Sequence, residues 1–259
     1  MSELLSVNIR KAGYGKKNVL SDVGFSCRAG EICAVLGENG SGKSTLLKAV
    51  CALIPFEGEC RLCGDRIDAM RARERAGRIS YLSAAGGPDI HISVSDAVLT
   101  GFYPVLPPLT GANAAQKARA QETLAALGIG EMGERDLQTL SGGQKQLALL
   151  ARTLVRDTDL TVLDEPDSAL DFEKRGQVLK LLRERIRSGS CGVLMTSHDV
   201  NGMLHAADRL ILMKDGKMAA DVNMKRAQKT EIEEALCLVY GRVELAEYKD
   251  RYFMTDAER

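Results

Sequence analysis

The sequence predicts an α/β fold in which a helical insertion interrupts a mixed layer of strands. Three patterns point there. A short apolar run, Ile32 to Leu36, leads into a glycine-rich turn and then into Leu46, Leu47, Val50 and Ile54 at helical spacing, which reads as strand, loop, helix. From about Asp89 to Asp157 the segments carry helical periodicity. Strand-like runs then return, DLTVLDEP and CGVLMTSHD, separated by the helical EKRGQVLKLLRERIRSG, the alternation expected of a parallel sheet with crossover helices.

Each element follows in order. LLSVNIR and the stretch around NVLSDVGFSC alternate apolar and polar residues like half-exposed strands, and GECRLCGDRI after Pro55 reads as a hairpin. The insertion opens with VSDAVLTGF, crosses the proline-rich PVLPPLTGAN, and continues as AQKARAQETLAALG and GGQKQLALLARTLVRD, both helical. RLILMKDGKMAAD is a closing strand pair. The tail from Asn223 holds a short helix, TEIEEALCLVYG, and one strand, RVELAEY, with no chemistry attached.

Composition narrows the classes of function. Among 259 residues Lys+Arg and Asp+Glu both total 35, so there is no basic excess of the kind that neutralises a nucleic-acid backbone, and no nucleic-acid partner is expected. No apolar run reaches the roughly 18 residues of a membrane span, and MSELLSVNIRKAGYGKK lacks a signal peptide's apolar stretch, so a cytosolic protein is expected. Seven scattered cysteines, 27, 33, 51, 60, 63, 191 and 237, read as reduced core thiols. Cys60 and Cys63 have metal-like spacing but no second pair, and histidines 91, 198 and 205 lie far off, so packing is the expected role.

Two motifs carry chemistry. Gly37, Glu38, Asn39, Gly40, Ser41, Gly42, Lys43, Ser44 and Thr45 satisfy the phosphate-loop pattern between a buried strand and a helix. Glycines let successive N–H groups curl around a β-phosphate, and the helix adds its positive end. Lys43 would bridge the β- and γ-phosphates of ATP and Ser44 would offer its hydroxyl to Mg²⁺. The apolar strand Leu160 to Leu163 ends in Asp164 and Glu165, whose side chains strand alternation would send to opposite sides. Asp164 then serves Mg²⁺, and Glu165 is the general base for the attacking water. Paired acids at a strand end can be mere solvation; the loop upstream favours catalysis.

Leu140, Ser141, Gly142, Gly143 and Gln144 narrow the choice further. LSGGQ is the signature of the ABC ATPases, a family the chain resembles from about residue 3 to 222. Its serine is an ordinary helix N-cap, but a cap does not explain two glycines. The resemblance implies a RecA-like core with an antiparallel β subdomain and an inserted helical subdomain. The boundaries expected are a 1–222 ATPase domain, with core at about 1–84 and 158–222 and helices at about 85–157, then a 223–259 extension. It also implies a head-to-tail dimer with itself or a homologous ATPase subunit, in which the signature of one closes on ATP held by the other. Carried over by position, Tyr14 is the aromatic that stacks on adenine, although a lone tyrosine near a turn also serves packing. Ser168, Ala169, Leu170 and Asp171 are the loop that touches the partner, and His198 is the switch histidine at the γ-phosphate and base. His91 and His205 have no such context and read as structural.

The sequence departs from the family at two places. Where the family has a glutamine that helps hold Mg²⁺ and senses the membrane partner stands Ala84, and no glutamine occurs from Arg61 to Ala115. Water, Ser83 or Asp89 would fill the coordination position, and reduced but real turnover is expected. Asp167, usually neutral in the family, would add negative charge near the dimer contact. Within the family, VSDAVLTGFYP and, loosely, LVYG resemble importer subunits for metal chelates (siderophores, haem, cobalamin), although Phe102 replaces their usual arginine and importers of free manganese or zinc share much of the pattern. The reading is thus an ATPase peripheral on the inner face of the cell membrane, held by transmembrane permease subunits and served indirectly by a substrate-binding protein. Two others remain open: a soluble ABC ATPase not coupled to transport, disfavoured by the single ATPase domain and the absence of a coiled-coil or basic insertion, and a regulatory module that scarcely hydrolyses, disfavoured by Glu165.

Overall fold

The computed structural model describes residues 3–84, 90–107, 110–249 and 251–256. Strands β1 (Glu3–Tyr14) and β2 (Lys17–Arg28) pair antiparallel, and β3 (Ile32–Gly37) leads through the glycine-rich loop into α1 (Lys43–Val50). The hairpin β4 (Phe56–Leu62) and β5 (Asp65–Arg66) turns through Cys63 and Gly64, both at positive φ, and its long strand joins β1. Helix α2 (Ala72–Arg78) then precedes β6 (Ile79–Leu82). The insertion holds α3 (Val94–Leu99), α4 (Ala114–Ala126) and α5 (Gly142–Leu154). After it come β7 (Leu160–Leu163), α6 (Phe172–Ile186), β8 (Gly192–Thr196), α7 (Val200–Ala206), and the hairpin β9 (Arg209–Lys214) and β10 (Lys217–Asn223). The tail is α8 (Lys229–Tyr240) with β11 (Val243–Tyr248) and β12 (Arg251–Asp256).

The strands sort into a four-stranded antiparallel sheet, β2-β1-β4-β5, and a six-stranded sheet, β10-β9-β3-β8-β7-β6, parallel except for its edge strand β10. Strands β3, β7 and β8 are buried along their whole length, as expected of parallel strands covered on both faces. Alternation divides β3 between two cores. Ile32, Ala34 and Leu36 pack with the inserted helices and with α6 to α8, whereas Cys33 and Val35 pack with α1 and the antiparallel sheet. In an open parallel sheet ligands bind beyond the carboxyl ends of the strands. Here β3, β8 and β7 are adjacent, and their ends carry the glycine-rich loop, His198 and Asp164–Glu165 respectively.

Several expectations are corrected. The tail holds a hairpin rather than one strand: β12 lies antiparallel on β11. Two short helices escape the periodicity, α2 because it buries no residue and so has no apolar stripe, and α7 because it spans only seven residues. Cys27, Cys33, Cys51 and Cys60 are core thiols, but Cys63 is exposed in its turn and Cys191 and Cys237 are half-buried. Burial pushes the Cys51 and Cys60 thiols well up, Cys60 to about 12, which leaves them as small apolar groups.

Candidate active site

Lys43 is buried, and its ammonium donates to the carbonyls of Gly37 (2.8 Å) and Glu38 (3.0 Å). Burial lowers its pKa, against which the carboxylates of Glu165 and Asp164 act. Helix α1 begins after Gly42 at φ 101 and has no side-chain cap, so its first N–H groups face the loop. The Ser41 hydroxyl is buried with no hydrogen-bond partner among the described residues, an orphan that a phosphate oxygen at this loop would satisfy.

Asp164 is almost fully buried and accepts from the Ser44 (3.0 Å) and Thr196 (2.9 Å) hydroxyls through one oxygen, Oδ1. Thr196 has a single hydroxyl proton, committed to Asp164, and its oxygen accepts from the Glu165 N–H (2.8 Å). The two carboxylates are not sorted by strand alternation, because β7 ends at Leu163. Glu165 instead sits at φ 50, a left-handed conformation that costs a non-glycine residue roughly 1–3 kcal/mol. Four bonds hold it there: the one from its N–H, and those its carbonyl accepts from Gln146 Nε2 (3.2 Å), Ser168 Oγ (3.1 Å) and the Ser168 N–H (3.4 Å). Its side chain meets His198 Nε2 at 2.7 Å.

Comparison with known proteins identifies the family. The ABC transporter family matches residues 20–168. The chain belongs to the ABC transporter family. A hemin import ATP-binding protein of Vibrio parahaemolyticus is 34% identical over 233 residues, covering 88% of this chain and 87% of that one. A zinc transport system ATP-binding protein of Treponema pallidum is 36% identical over 201 residues, 77% and 74% of the two chains. Among solved structures, an inward-facing ABC transporter described as of the metal-chelate type aligns with a TM-score of 0.78 at 26% identity, covering 98% of this chain and 96% of that one. The ABC fold and an ATP-binding domain are thereby established for this chain.

The ABC signature opens α5. Ser141 is its N-cap in a full capping box, its hydroxyl accepting from the Gln144 N–H (3.4 Å) and the Gln144 side chain accepting from the Ser141 N–H (3.1 Å). Gly143 is required by close approach, since a Cβ there would lie 2.8 Å from the Ala169 carbonyl. Gly142 faces open space, and Leu140 is buried just before the cap. In the neighbouring loop Leu170 is buried and Asp171 caps α6 by accepting from the Lys174 N–H (2.8 Å). Tyr14 stands apart at the end of β1, half exposed, with the Lys48 ammonium 5.8 Å from its ring centre. Ala84 follows β6 and is exposed; Asp89, one of the groups weighed for its missing oxygen, lies outside the described residues, as do Pro108 and Leu109 of the proline-rich loop.

Asp167, expected to add negative charge near the dimer contact, is buried, and its carboxylate accepts from the Ser197 hydroxyl (2.6 Å). Sequence reasoning missed Thr196, Ser197 and Gln146. The first two are the polar pair directly before His198; Gln146 was legible as an amide on the buried face of α5. His91 is exposed with Asp136 at 2.8 Å, and His205 packs edge-on to Phe253.

Proposed function

We propose that this chain is the ATP-hydrolysing subunit of a membrane importer whose cargo is a metal chelate of the siderophore, haem or cobalamin kind. The observation that carries the hydrolytic reading is the convergence of Lys43, Ser44, Asp164, Glu165 and His198 at the ends of three adjacent strands. On ATP binding, the β- and γ-phosphate oxygens replace the Gly37 and Glu38 carbonyls as partners of Lys43, and the N–H groups at the start of α1 face the phosphates. Tyr14 offers its exposed ring to adenine. Ser44 and Asp164 present hard oxygen donors, which fits Mg²⁺; the ion, when bound, neutralises charge on the phosphates. Glu165 takes a proton from the attacking water. His198 holds its carboxylate in place and, with Lys43, faces the charge that grows on the γ-phosphoryl group.

The second copy, or a homologous subunit, completes the site. Gly142 leaves the start of α5 open to an approaching anion, and Phe172, 92% exposed beside the 168–171 loop, is apolar surface that a partner would cover. Coupling to the permease runs through a cavity of about 360 Å³ beside β6, lined by Arg75, Tyr81, Gly101, Arg152 and Arg156 between the sheet and the inserted helices. A permease loop seated there would feel both the strand leading to Ala84 and the helices carrying the signature, which places the chain at the inner face of the membrane. With the domain boundaries expected from sequence, the inserted helices would be one moving unit and the strands the other. No helix among the described residues is long and apolar enough to cross a membrane.

Metal-chelate cargo is supported by the hemin import relative and the metal-chelate transporter, whereas the zinc transport relative favours a second reading, free metal ions. One experiment tests both levels: purify the chain from its native membranes in mild detergent, assay Mg²⁺-ATP hydrolysis, and identify what co-purifies. A multi-spanning permease with a chelate-binding protein is the expected result. An accompanying protein that binds free metal selects the second reading, and soluble partners alone overturn the importer.

A further inference from the structure

Glu165 is gripped from several elements at once. Thr196 and His198 reach it from β8 and the turn after it, and Ser168 from its own loop; of these hydrogen-bond partners only Gln146 comes from the inserted helices. Gln146 lies five residues past the Ser141 cap, about 7 Å along the axis of α5. The buried face of that helix is otherwise apolar except for Thr153, whose hydroxyl turns back to the Leu149 carbonyl of its own helix (2.9 Å). Gln146 does the opposite: its amide leaves α5 and donates to the Glu165 carbonyl. Packing alone would be served by an apolar side chain at this position, with no amide to take out of water.

The same helix meets the same loop a second time. A Cβ at Gly143 would lie 2.8 Å from the Ala169 carbonyl, so the first turns of α5 and residues 165–169 are seated on one another without slack. The carbonyl that Gln146 holds also bounds the strained residue. A side-chain-bearing residue keeps a left-handed φ only while its surroundings fix the peptide groups on both sides. Thr196 fixes the N–H side of Glu165, and Gln146 and Ser168 fix the carbonyl side. Loosening the carbonyl side favours relaxation of φ, which would turn the carboxylate away from His198, now at 2.7 Å.

We propose that Gln146 is a positioning residue for Glu165: through it α5, whose N-terminus carries the signature, sets the backbone of the general base and so the aim of its carboxylate. This rests on the reading of Glu165 as the base of an ATPase.

Gln146→Met keeps the length and the burial of the side chain and removes the amide. The kcat for ATP is expected to fall about two- to tenfold, the worth of one neutral hydrogen bond, while the Kd of the chain for ATP, set on the α1 side, holds. Two controls separate positioning from stability. In a Glu165→Gln background, where the base is gone, Gln146→Met is expected to leave the residual rate unchanged, the non-additivity of two residues that act as one unit. Thr153→Val removes the other buried polar side chain of α5 and is expected to keep the parent's kcat. Equilibrium ATP binding, phosphate release and melting temperature are measured on the full-length chain and each variant. Gln146→Asn, too short to reach the carbonyl, stands in if the methionine variant does not fold. A loss of kcat that vanishes once the base is removed supports the proposal. It is overturned if the Gln146 variant matches an active parent, if it slows hydrolysis by the same factor with and without the base, or if Thr153→Val costs as much turnover; each of these leaves the ATPase reading intact. A parent that neither binds nor hydrolyses ATP sinks that reading and the proposal with it.

Discussion

In the function proposed here two helices, α1 and α5, offer their N-termini to phosphate, and they are furnished in opposite ways. Helix α5 is self-sufficient: Ser141 and Gln144 satisfy each other's backbone N–H groups, and only Gly142 and Gly143 remain bare. Helix α1 has a glycine where a cap would sit and no side-chain bond there, at a cost of only about a few tenths of a kcal/mol relative to a capping serine. Its loop is held by Gly216 donating to the Ser41 carbonyl (3.1 Å) and by Lys43 on two loop carbonyls. On that reading, a helix that binds phosphate within its own subunit keeps its N–H groups free and borrows rigidity from its neighbours. A helix that meets phosphate only across a dimer stays stable alone and leaves a glycine window for the approach.

The largest test of this contrast removes chemistry from the α1 side and leaves the α5 side untouched. Glu165→Gln preserves shape and the backbone bonds to Thr196, Gln146 and Ser168 but removes the proton acceptor. Hydrolysis is expected to drop by about 10²–10⁴, with ATP binding retained. The ATP-bound dimer then persists, visible as a doubled mass in light scattering. A chain that stays monomeric at saturating ATP would show that α5 does not serve a partner's nucleotide.

The converse test disturbs the α5 side alone. In Gly143→Ala the new methyl presses on the Ala169 carbonyl and displaces the 168–171 loop, a misfit worth about 1–3 kcal/mol. Turnover is expected to fall about ten- to a hundredfold while the Kd of the monomer for ATP stays at the parent value. Weakened ATP binding by the monomer would mean that the two ends are not independent.

The same contrast explains what could be read from the sequence. The phosphate loop, the LSGGQ run and TSHD were legible because each is contiguous and its spacing follows from the local backbone it must form. The Ser44–Asp164–Thr196 chain of hydroxyls and carboxylate was not, since it depends on β3, β8 and β7 lying side by side and no local pattern states that order. The direction of Glu165 was not legible either, since it comes not from strand alternation but from a left-handed backbone held by residues from α5, β8 and the following loop.

The smallest expected effect concerns Ala84. The Asp164 N–H donates to the Leu82 carbonyl (3.0 Å), so the chain carrying Ala84 leaves the sheet next to the strand end that holds the Mg²⁺-facing carboxylate. A methyl group offers no oxygen, whereas a glutamine amide oxygen is a hard donor of the type the Ser44–Asp164 pair already presents. Ala84→Gln is therefore expected to raise turnover or tighten the apparent Kd for Mg²⁺ about two- to tenfold, the range of a single added polar contact. A Mg²⁺ titration of ATPase activity at fixed ATP separates the two effects. A gain confined to Mg²⁺ affinity would put the deficit in metal binding, on the α1 side of the site. A gain in turnover at saturating Mg²⁺ would mean that the segment after β6 limits closure onto the partner's α5, and indistinguishable curves would show that this subunit has no deficit for the glutamine to repair.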